Sequence, residues 1–149
     1  MMLNTAQRER LTAIEDACIL LEARDELILQ MNRRVAKLKS AKLLEATKAD
    51  LTASQLDKLR LEEFVKQETE ALFEDAFGVS LDAVVRVETA EGQGQEPMVV
   101  NLLRARQLSN GVGVFFVAGD SLERNVSELP MPVMFRIAEE SGDRFVVES

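Results

Sequence analysis

The segment Phe73-Glu74-Asp75-Ala76-Phe77-Gly78-Val79-Ser80-Leu81-Asp82-Ala83-Val84-Val85-Arg86-Val87-Glu88 divides this chain. Before it, residues 5–77 contain no glycine and no proline; all seven glycines and all three prolines follow Phe77. Gly78 stands where a left-handed residue stops a helix. Ala83, Val85 and Val87 then alternate with Asp82, Arg86 and Glu88, the period of a strand with one buried face. The fold class is therefore α+β: a long N-terminal antiparallel helical hairpin or coiled coil, then a small antiparallel β domain of about five strands. The expected division is a helical hairpin over 1–78 and a β domain over 79–149.

Upstream, Asn4-Thr5-Ala6-Gln7 opens the first helix, with Asn4 capping and Gln7 reaching back. Leu11, Ile14, Cys18, Leu21, Ile28, Met31, Val35 and Leu38 follow at helical spacing and form one apolar stripe. Thr52, with Gln55 three residues on and Leu51 and Leu56 flanking them, reads as a capping box with a hydrophobic staple. A turn is therefore expected at about 47–51, with the first helix running from about 5 to 46, roughly 60 Å. In that register Arg33, Arg34, Lys37, Lys39 and Lys42 answer Asp57, Glu62 and Glu63. The first helix would outrun the second by roughly sixteen residues. Leu11, Ile14, Cys18 and Ile19 would lie on that overhang, where the β domain or another chain must cover them. The expectation is an intermolecular seam through Leu11, Ile14, Cys18 and Leu21.

Downstream, strands are expected at Leu81–Thr89, Pro97–Arg106, Val112–Ala118, Pro132–Ala138 and Arg144–Val147. Ser109-Asn110-Gly111 is a hairpin signal, and one helical turn is expected near Ser121–Glu128. Ser141-Gly142-Asp143 is expected to close a final hairpin. Two strands, Val99-Val100-Asn101-Leu102-Leu103 and Val114-Phe115-Phe116-Val117, are apolar on both faces, where a one-layer sheet facing water would alternate. Neighbouring strand residues point to opposite faces. One of Phe115 and Phe116 must then find a second hydrophobic layer, and both are candidate interface residues.

Composition narrows the function classes. The chain has no histidine, one cysteine and a net charge of −8. Without histidine there is no Ser-His or Cys-His nucleophile system, no HExxH zinc site and no Glu-x-x-His di-iron motif. Cys18 alone makes no zinc site and is expected to be a packed thiol. Glu62, Glu63, Glu68, Glu70, Glu74 and Asp75 read as a solvated helix face rather than an acid/base or metal site. Gly111-Val112-Gly113 lies between strands and lacks the lysine and helix of a phosphate loop. No catalytic residue, cofactor or metal site is expected, and an enzyme is not.

Residues 1–50 carry nine Lys/Arg against eight Asp/Glu, and residues 51–149 carry nine against eighteen. An acidic second half is a poor match for phosphate backbones, so direct nucleic-acid binding is disfavoured. The N-terminal stretch lacks the apolar run of a signal peptide, and no segment has the ~18 apolar residues of a membrane span. The expected location is cytoplasmic, or within an assembly built in the cytoplasm. In layout alone the chain is similar to bacterial chaperone nucleotide-exchange factors, none of whose motifs occurs here. A helical stalk with a β head is also a plan of phage virion components and secretion-machine adaptors. The expected function is a non-enzymatic structural or assembly component of a multiprotein particle, a homo-oligomer with protein partners. The alternatives are a chaperone or adaptor for a protein client, or a small acidic inhibitor of a nucleic-acid enzyme.

Overall fold

The computed structural model describes residues 2–92, 94, 96–122 and 132–148. Two helices, α1 (Thr5–Val35) and α2 (Ala41–Phe77), precede five strands. These are β1 (Val84–Glu88), β2 (Met98–Gln107), β3 (Gly113–Ser121), β4 (Pro132–Ala138) and β5 (Arg144–Glu148). They form one antiparallel sheet in the order β4-β3-β2-β1-β5. The α+β layout read from the sequence is present. The helical turn expected near Ser121–Glu128 lies outside the described residues beyond Leu122.

Contacts group the chain into two units, Met1–Glu15 with Gln67–Ser149, and Asp16–Lys66. The start of α1 and the end of α2 thus group with the sheet, a different line from a division at residue 78. In the sheet-bearing unit α1 begins as its sequence indicates: Asn4 Oδ1 accepts from the Gln7 N–H at 2.8 Å, and Gln7 Oε1 accepts from the Asn4 N–H at 3.0 Å. At its other end α2 stops at Gly78, whose φ of 66° lets its N–H donate to Glu74 O at 3.0 Å. That is the left-handed cap glycine adopts without a Cβ penalty.

The core of this unit is Leu11 and Ile14 of α1, Leu72 and Phe73 of α2, and an inner sheet face with Val85, Met98, Val100, Phe115, Val117 and Ile137, all at most 1% exposed. Each fully buried side chain of this size contributes about 1.5–3 kcal/mol. Phe73 centres an aromatic cluster. Its ring lies 5.8 Å from Phe115 on β3 and 6.0 Å from Phe145 on β5. Those strands are three places apart, about 14 Å across a flat sheet. The sheet is therefore curled around Phe73 and Phe77. Gly119 permits the tight part of this curl, where the β2 register shifts between Val100 and Leu102. A Cβ at Gly119 would sit 2.7 Å from the Val99 carbonyl carbon.

The final hairpin expected between residues 132–138 and 144–147 does not form. β4 pairs with β3 and β5 pairs with β1, at opposite edges of the sheet. The turn at Ser141-Gly142-Asp143 exists, with Gly142 at φ 79°, but it links the two edges. A turn signal sets a local reversal of direction; burial decides the partner. From its place beside β1, Phe145 packs on Phe73 and Phe77.

In the unit Asp16–Lys66, the helices reverse at Ala36–Ser40 rather than at 47–51. The Ser40 hydroxyl accepts from the Leu43 N–H at 3.5 Å, and Ser40 O accepts from the Leu44 N–H at 2.9 Å. Residues 47–52 continue α2, where the Thr52 hydroxyl donates to Lys48 O at 3.0 Å. Thr52 is thus an exposed mid-helix residue bonded to the carbonyl four back. The expected charge register is replaced by Lys58 with Asp25 at 2.7 Å and Arg24 with Asp57 at 3.9 Å. With the turn moved, α2 has 37 residues to the 31 of α1, and no overhang of α1 remains. Thr52→Ala should leave stability unchanged or raise it by up to about 0.5 kcal/mol, because alanine is the better helix former. A thermal melt that falls by several degrees would contradict this placement.

Candidate functional site

Three surface features carry chemistry or contact potential among the described residues. The first is Glu139, 2% exposed at the end of β4. Its Oε2 accepts from the Leu3 N–H at 2.9 Å and from the Arg8 guanidinium, and its Oε1 accepts from the Gly113 N–H at 3.0 Å. Burial pushes its carboxyl up, but the Leu3 and Gly113 N–H groups and Arg8 outweigh this and hold it below the usual range. With both oxygens engaged, this carboxylate fastens the start of α1 to β3 and β4. An open depression of about 320 Å³ lies beside it, lined in part by Met2, Asn110 and Glu140. No group of three His, Cys, Asp or Glu converges among the described residues.

The second feature is the outer sheet face. Residue pairing aligns side chains across β2, β3 and β4 in rows: Leu102, Ala118 and Met134; then Arg104, Phe116 and Arg136. Leu102 is 51% exposed and Met134 63%. The Arg136 guanidinium lies 6.0 Å from the centre of the half-buried Phe116 ring. Among the described residues neither Arg104 nor Arg136 has a carboxylate partner, whereas Arg106, in the next row, is bound by Glu15 at 2.7 Å. A shallow groove of about 210 Å³ runs past Asn101, Ala118, Gly119 and Met134. The outer face of β1 and β5 differs, because its charges pair off. Glu88 takes Arg144 at 2.6 Å and Arg86 at 3.3 Å, and Arg86 also takes Glu148 at 2.6 Å. Hydrogen bonding from Arg144 is the main reason the Glu88 carboxyl sits below its ordinary value.

The third feature is the helical arm, residues 16–66. From Cys18 to Ala53 no residue is buried. Ile19, Leu20, Leu27, Leu29 and Leu43 are 37% to 57% exposed. The hairpin seam, by contrast, holds half-buried Leu21, Ile28, Met31 and Val35 on α1 and Leu44, Leu51, Leu61 and Val65 on α2. At 3.6 residues per turn, Ile19, Leu20, Ala23 and Leu27 share an arc of about 100° beside that seam. Between residues 16 and 27, Asp16 and Glu26 lie on or beside the same arc and no Lys or Arg does; Arg34 returns to it about two turns beyond Leu27.

Of the six residues expected at interfaces, Leu11, Ile14 and Phe115 are 0% exposed inside this single chain. A seam between chains cannot run through them. Leu11 instead packs beside Gly113, where a Cβ would meet it at 2.9 Å. Cys18 and Leu21 are half-buried on the arm, and Phe116 is half-buried on the outer sheet face. Sequence reasoning overlooked Arg104, Arg136 and Met134, whose alignment depends on strand pairing and on the register shift in β2. It named Ile19 as uncovered but overlooked Leu20 and Leu27, which complete an arc with it off the main stripe. No described helix is long and apolar enough to cross a membrane. Comparisons with family models, with curated proteins and with solved structures find no match.

Proposed function

We propose that this chain is a non-enzymatic assembly component of a multiprotein particle and that it self-associates through its helical arm. The observation that carries this reading is the absence of any buried residue from Cys18 to Ala53 in an arm rich in leucine and isoleucine. Two helices alone cannot bury an apolar stripe on both flanks of their seam, and isolated helices gain most of their stability from packing. Covering Ile19, Leu20 and Leu27 with a second surface supplies that packing and removes an aggregation hazard. The missing histidine and the saturated Glu139 support a contact role over catalysis. Phage virions and secretion machines are assemblies in which an arm and a β head of this kind would serve.

The test is molecular mass by light scattering for wild type and for the double variant Leu20→Asp, Leu27→Asp. Wild type should form a defined oligomer and the variant a folded monomer. Both positions are exposed, so the β sheet should keep its circular-dichroism and melting signature. A wild type that stays monomeric at high concentration overturns the reading. A monomer whose arm gains order only on adding a client protein would instead favour the adaptor alternative.

A further inference from the structure

The geometry points to the surface that receives the arm: the outer face of β2, β3 and β4 on a second copy of this chain. This rests on the self-association reading and goes further by naming both halves of the contact. The two surfaces are complementary in charge, apolarity and spacing. The chain carries a net charge of −8, yet Arg104 and Arg136 stand exposed on one sheet face without a carboxylate partner among the described residues. Between and beside them lie Phe116, Leu102 and Met134, with exposed Asp120 toward the far end of β3. The exposed arc of α1 over residues 16–27 is the counterpart, with Ile19, Leu20, Ala23 and Leu27 accompanied by Asp16 and Glu26 and, within that stretch, by no cation.

The dimensions agree. Asp16 and Glu26 are ten residues apart, about 15 Å along a helix. Arg104 and Arg136 sit on strands two places apart, about 10 Å between backbones, and their long side chains extend the reach outward. A helix laid across the three strands can set Asp16 over one arginine and Glu26 over the other. Leu20, Ala23 and Leu27 then cover Phe116 and the row of Leu102, Ala118 and Met134. An arginine lying on an aromatic ring and meeting a carboxylate is a favoured interface anchor. The contact joins two different surfaces, so it is head-to-tail and leaves one arm and one sheet face open for the next copy. Such contacts close into rings or propagate as chains.

The test uses the full-length protein and two defects. The face variant is Arg104→Glu with Arg136→Glu; the arm variant is Leu20→Asp with Leu27→Asp. Each alone should be a monomer, with apparent affinity reduced by on the order of tenfold or more. Mixed, they should form a dimer and nothing larger, because one intact arm meets one intact face. Wild-type association should also weaken as salt is raised. If the charge reversals lower the melting temperature, Met134→Ser at its 63% exposed site replaces them as the face variant. Oligomers abolished by the arm variant but untouched by the face variants would overturn this inference and leave the proposed function standing. A mixture that stays monomeric, although each variant is folded, would also overturn it. A monomeric wild type would overturn both. Unfolding of the chain by Met134→Ser as well would assign this face to an internal contact and likewise overturn the proposal.

Discussion

Replacing Phe73 by alanine should cost about 3–5 kcal/mol, the range for emptying a buried phenylalanine site. Phe73 is 0% exposed and touches Phe77, Phe115 and Phe145, which come from α2, β3 and β5. Those contacts are what the curl of the sheet closes upon, so little can collapse to fill the gap. For a chain of this size the melting temperature should drop by roughly 10 °C or more. Phe64, on the arm and 41% exposed, is the internal control: its alanine variant should change stability by less than about 1 kcal/mol. Equal losses at the two positions, measured by denaturant or thermal unfolding, would mean that the aromatic cluster is not the centre of the fold.

The second large effect is expected at Glu139. Glu139→Gln removes the charge that answers Arg8 and replaces one acceptor oxygen by a donor amide, facing N–H groups from Leu3 or Gly113. Leaving a buried donor unsatisfied costs about 1–3 kcal/mol, and breaking one side of a buried ion pair costs more, so a loss of about 3 kcal/mol is expected. The pH dependence has a definite sign. The folded carboxyl is held below its ordinary value of 4.5, so its stabilisation is complete above that pH. That stabilisation is lost as pH falls through the depressed folded value. Wild type should therefore weaken on acidification over this range, and Glu139→Gln should show a flatter profile there. Parallel acid profiles for the two proteins would contradict the fastening role.

Much of the fold was legible where the signal is local. The Asn4–Gln7 cap, the Gly78 stop and the Asn110-Gly111 turn each need only a few neighbouring residues, and each occurs as read. The hairpin turn was misplaced because Thr52-Ala53-Ser54-Gln55 imitates a helix start. In a helix interior a threonine hydroxyl can satisfy itself on the carbonyl four residues back, as Thr52 does on Lys48. The true start, Ser40, carries no glycine or proline beside it to mark the break. That one shift of the turn created the overhang, and with it the expected seam through Leu11 and Ile14. Both residues lie instead in the core with Phe73.

The outer sheet face was hidden for another reason. Alternation assigns faces only while the register holds, and β2 shifts between Val100 and Leu102. Val100 and Leu103 therefore share a face despite an odd spacing, and Leu102 turns outward beside Met134 and Ala118. The doubly apolar reading of Val99–Leu103 was correct in composition. It located no interface because the strand pairing that aligns Leu102 with Met134 is not a local property.

Hydrogen exchange of wild type at low and high protein concentration tests the self-association claim most directly. Amides in 16–66 should exchange quickly in dilute protein, because the arm has few buried contacts to hold it closed. They should slow markedly as concentration rises and the exposed arc of α1 is covered, while core amides of β3 stay protected throughout. Exchange in 16–66 that does not depend on concentration would contradict the account: the arm would then stand without a second copy of this chain.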